Sequence, residues 1–67
     1  MHENPEKHYI IESISIGESV KVTAFDPRSL QEATIIGPIS ATTEQLTQLA
    51  IRKLEYRLHK NHGDSSS

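Results

Sequence analysis

Residues 42–60, TTEQLTQLAIRKLEYRLHK, constrain the fold of this chain more than any other stretch. Apolar residues recur there at three- and four-residue spacing, the period of an amphipathic helix. With Leu46 at zero and about 100° per residue, Ala50 falls at ~40°, Leu54 at ~80°, Leu58 at ~120° and Ile51 at ~140°. These residues form one apolar face. Glu44, Gln48, Arg52, Glu55 and His59 form the polar face. Thr42 followed three residues later by Gln45 has the form of a capping box, with Ala41 and Leu46 as the accompanying apolar staple. Gly63, just past Asn61 and His62, is suited to end the helix.

A helix with one apolar face needs a surface to bury it, and the preceding residues are β-prone. Residues 9–16, YIIESISI, are rich in isoleucine and read as the first strand, with alternation that falters near Glu12 and leaves room for a bulge or for a start at Ile11. Gly17-Glu18 fits a two-residue type II′ turn. Residues 19–25 alternate cleanly, with Val20, Val22 and Ala24 on one face and Lys21, Thr23 and Phe25 on the other. Asp26-Pro27-Arg28-Ser29 carries turn chemistry: Pro27 fixes φ, and Asp26 can accept from the backbone ahead of it. Residues 31–36 form a third strand, ended by Gly37-Pro38. The expected architecture is α+β: a three-stranded antiparallel meander followed by one C-terminal helix packed on one face, β-β-β-α. Residues 1–7 read as a flexible arm, 8–62 as the single domain and 63–67 as a disordered tail.

The expected core is Val20, Val22, Ala24, Ala33 and Ile35 under the helix face. Two groups of apolar residues are left over. Leu49 and Tyr56 lie at ~300° and ~280° on the helix, beside Arg52, Lys53 and Lys60 and away from the core arc. The second group is on the sheet side opposite the helix, expected to carry Phe25 and Ile36, with Tyr9 and Ile11. A helix covers one sheet face, and an exposed apolar patch often marks an interface. A chain of 67 residues also has little core, and with no cysteine it has no disulfide staple or thiolate metal site. Association with a second copy is the remaining common remedy. A homodimer is therefore expected, with Leu49, Arg52, Lys53, Tyr56, Phe25 and Ile36 as the contact surface.

No catalytic constellation is evident. His59 and His62 share a helix side, but only His2 and His8 on the arm could complete a metal site, and a frayed helix end explains them. Asp26, Arg28 and Glu32 cluster at a turn without a nucleophile or a phosphate loop. No cofactor and no enzymatic activity are expected. Arg52, Lys53, Arg57 and Lys60 make a basic stripe, and binding to nucleic-acid phosphate through it is the alternative reading. Against it, the formal net charge is −2, and cations near a helix C-terminus also complement its dipole. The acidic start MHENPEKHY does not resemble a signal peptide, and no run is long and apolar enough to cross a membrane. A cytoplasmic protein with an unknown protein partner is expected.

Two stretches carry a family resemblance. VKVTAFDP, at residues 20–27, and IIGPISATTEQLTQLAIRKLEY, at residues 35–56, resemble a family of small uncharacterised bacterial proteins with the pattern V-K-V-x-A-x-D-P, then I-x-G, then L-A-x-R-K-L-E-Y. The last run, residues 49–56, is the most specific. The resemblance implies a stand-alone domain and carries over no catalytic residue.

Overall fold

Strict alternation makes strand β2 the spine of the molecule. In the computed structural model, which describes the backbone of residues 8–64 and the side chains of residues 8–60, β2 spans Ser19–Asp26 and buries every second residue. It is flanked by β1 (Ile10–Ile16) and β3 (Gln31–Pro38), both antiparallel, in the sheet order β1-β2-β3. Helix α1 (Thr43–Asp64) follows, giving β-β-β-α.

The turns explain the register. Ile16 pairs with Ser19 across Gly17-Glu18. Of these two turn residues only Gly17 has positive φ, at 58°, as a type II′ turn requires at its first position. Pairing continues without interruption to Ile10 opposite Phe25, so β1 has no bulge at Glu12. Asp26 organises the second turn. Its carboxylate accepts from the Arg28 N–H at 3.1 Å and the Ser29 hydroxyl at 2.9 Å, while its carbonyl accepts from the Leu30 N–H at 2.7 Å. Leu30 closes this turn at φ 67°, a left-handed conformation that costs a branched side chain about 1–2 kcal/mol. β3 runs two residues beyond its expected end, through Gly37 to Pro38, and the Ile39 N–H then donates to the Glu18 carbonyl at 2.8 Å.

The capping box forms as the sequence indicates. The Gln45 N–H donates to Thr42 Oγ1 at 3.0 Å, and the Thr42 N–H donates to Gln45 Oε1 at 3.2 Å. The helix passes through Gly63 to Asp64 instead of stopping at the glycine. Glycine permits a left-handed cap but does not impose one. The arm expected at residues 1–7 lies outside the described residues, as do residues 65–67 of the expected tail.

The core is Val20, Val22 and Ala24 of β2, Ala33 of β3, and Leu46, Ala50 and Leu54 of α1. Tyr9, Ile35, Ala41, Ile51 and Leu58 pack against it, half-buried. α1 lies over β2 and β3, and every residue of β1 remains exposed.

Candidate functional site

The register sorts the sheet into two faces. Ile11 pairs with Ala24, Ser13 with Val22 and Ser15 with Val20, so these three side chains share the helix side with the core. The opposite, helix-free face has four rows. The first is Ile16, Ser19 and Pro38; the second is Ile14, Lys21 and Ile36. The third is Glu12, Thr23 and Thr34, where the two threonine hydroxyls bond at 3.0 Å. The fourth is Ile10, Phe25 and Glu32. Ile10, Ile16 and Ile36 are each more than half exposed, at 56%, 57% and 67%. Lys21 is half-buried between Ile14 and Ile36, where its aliphatic stem can lie along apolar neighbours.

This arrangement corrects one expectation. Tyr9 and Ile11 do not belong to the helix-free face; Ile10, Ile14 and Ile16 do. Side chains alternate with period two, so the Ile11–Ala24 pair fixes Ile11 on the helix side and sends its neighbours the other way. Tyr9 packs against the core and donates its hydroxyl to Glu55 Oε2 at 3.2 Å. Partial burial, followed by the nearby Glu55 carboxylate, raises the Tyr9 phenol above its ordinary value.

The remaining expected contact residues fall into separate places. Leu49, Arg52 and Ile36 come together along an open groove of about 530 Å³ between the end of β3 and the first turns of α1, which Gln45 and Gln48 also line. Phe25 is not part of that groove. It lines a depression of about 430 Å³ with Ile10, Ile11 and Glu12. Tyr56 is exposed, with the Lys60 ammonium 5.8 Å from its ring centroid, near the outer limit of a cation–π contact.

Lys53 has a structural partner. Its Nζ donates to the Thr34 carbonyl at 3.0 Å, and Arg57 Nη1 donates to the Glu32 carbonyl at 3.0 Å. Half of the basic stripe is thus turned onto the outer edge of β3. Sequence spacing gave no sign of this, because the partners are backbone atoms 19 and 25 residues away. Among the described residues, no group of His, Asp or Glu side chains is placed to hold a metal ion, and no helix is long and apolar enough to cross a membrane. Of the proposed histidine site, the His2 and His62 side chains lie outside the described residues.

Residues 6–61 match the family described as Domain of unknown function (DUF6898), and the chain belongs to that family. No curated protein and no solved structure matches it.

Proposed function

We propose that this chain is a non-enzymatic interaction domain that works by associating with itself. The observation that carries this reading is the uncovered side of the sheet. The helix covers β2 and β3, β1 is exposed at all seven positions, and Ile10, Ile14, Ile16 and Ile36 crowd the helix-free face. Apolar surface transferred from water gains about 25 cal/mol per Å², so isoleucines grouped in this way favour a partner surface. The core provides a second reason. Among the described residues, three of its seven side chains are alanine, and Leu54 and Val22 are the largest that are fully buried. A domain of this size gains much from a second chain.

Sedimentation velocity on the full chain tests the reading. A species of twice the 7.5 kDa chain mass at micromolar concentration is expected. A single monomeric species up to millimolar concentration would remove it.

A further inference from the structure

We infer that β1 is the strand through which two copies join, pairing antiparallel with its own symmetry mate about Ser13. The inference rests on the self-association proposed above and gives it a location. Two three-stranded sheets would become one continuous sheet of six strands.

The two edges of the sheet are not alike. Ile16 and Ser19 flank a two-residue turn, and such a pair exchanges both of its N–H···O bonds. By alternation, Ile10, Glu12, Ile14 and Ile16 turn their backbone groups towards β2, while Ile11, Ser13 and Ser15 turn theirs towards the free edge. The same count across β2 directs the backbone groups of Glu32, Thr34, Ile36 and Pro38 to the opposite edge. There the chain blocks part of its own edge. Arg57 takes the Glu32 carbonyl, Lys53 takes the Thr34 carbonyl, and Pro38 has no N–H to offer. Lysine and proline are common devices for blocking an edge strand.

β1 has neither device. Its sequence IIESISI contains no proline, lysine or arginine, and its pairing has no bulge. Among the described residues, no side chain bonds the outward backbone groups of Ile11, Ser13 or Ser15. A long, open strand of high β propensity is a template for another strand. Among the described residues, the helix lies over β2 and β3 and not along the outer edge of β1.

The sequence of β1 selects itself as the partner and sets the register. Centring the pair on Ser13 places Ser13 opposite Ser13, Ile11 opposite Ser15, Ile10 opposite Ile16 and Glu12 opposite Ile14. All seven residues are then paired, and each outward-facing residue exchanges two backbone bonds with the partner. Centring on Glu12 would set two carboxylates face to face, which is unfavourable for a cross-strand pair. Centring on Ile14 would run Ile11 against Gly17 in the turn and leave Ile10 without a partner.

The absence of cysteine makes the test clean. In the full chain carrying Ser13→Cys, the two Cα atoms would stand about 5.5 Å apart across the two-fold axis, within disulfide reach. Air or copper-phenanthroline oxidation should convert the dimer to a covalent one, while Ser40→Cys on the exposed loop before the helix should not crosslink. Ser13→Pro removes an N–H that β2 does not use, so the fold should survive by circular dichroism while the dimer dissociation constant rises tenfold or more. Ser13→Lys, which opposes two cations across the axis, is the second variant should the proline disturb the strand, and the same rise is expected. If the Ser13→Cys dimer fails to crosslink and the Ser13→Lys chain dimerises as tightly as wild type, the β1 pairing is overturned. Self-association would then stand, through the sheet face or the groove. A wild-type monomer would overturn both.

Discussion

Gly37 faces the helix across from Val20, against the Leu46 side chain. A β-carbon placed there would lie 2.5 Å from one Leu46 methyl and 3.3 Å from the other. Leu46 is buried, so it cannot simply swing into water. Gly37→Ala is therefore expected to destabilise the domain by about 1–3 kcal/mol, as overpacking does. Urea unfolding would show this, and combining it with Leu46→Val should cost less than the sum of the two single changes, because the residues share one space. Tyr9 gives a residue-scale prediction in pH. Its phenol is raised by burial and by Glu55, so the folded state holds the proton more tightly than the unfolded chain. That contribution is complete below the ordinary tyrosine value near 10 and is lost as pH rises through the higher folded value. Tyr9→Phe should be less stable than wild type by about 1 kcal/mol at neutral pH. The gap should shrink above pH 10, as read by chemical denaturation across that range; a gap independent of pH would mean that the hydroxyl does not titrate against Glu55.

At the scale of elements, the helix has three sides with different roles. Leu46, Ala50 and Leu54 close the core, Lys53 and Arg57 cap the edge of β3, and Leu49 with Arg52 borders the groove. The first role was legible in the sequence, because burial follows the helical period. So was the displacement of Leu49 and Tyr56 from the core arc. The second was not, since a lysine on a helix carries no mark of the carbonyl it will reach. β2 was legible for the same reason as the core arc: its alternation leaves one choice of inner face. β1 was legible as a strand but not in its inner face, because IIESISI places isoleucine on both parities. The pairing across Gly17-Glu18, not composition, determines which isoleucines face the helix. This division yields a test at Leu49, which is about half exposed, so that a charge there is compatible with folding. With β1 as the contact, Leu49→Asp leaves the sedimentation coefficient unchanged. A shift to monomer would move the contact to the groove by the helix.

On the scale of the whole molecule, the decisive fact is the imbalance between what the chain buries and what it leaves in water. One helix over two strands of three gives, among the described residues, a core of seven side chains, while four isoleucines of β1 remain exposed. Joining two copies along β1 would couple folding to association, and stability would then depend on concentration. For a folded dimer in equilibrium with unfolded chains, a tenfold rise in concentration adds about 0.7 kcal/mol per chain, half of the 1.4 kcal/mol that a factor of ten represents. For a domain of this size that corresponds to an increase of about 3–6 °C in Tm. Calorimetry from about 10 µM to 1 mM, on the order of a hundredfold span, should show the slope in the wild type. The Ser13→Lys chain should have a lower Tm than the wild type at every concentration in that range. A wild-type Tm that does not vary with concentration would mean that the core holds the fold alone and that β1 does not pair with its own copy.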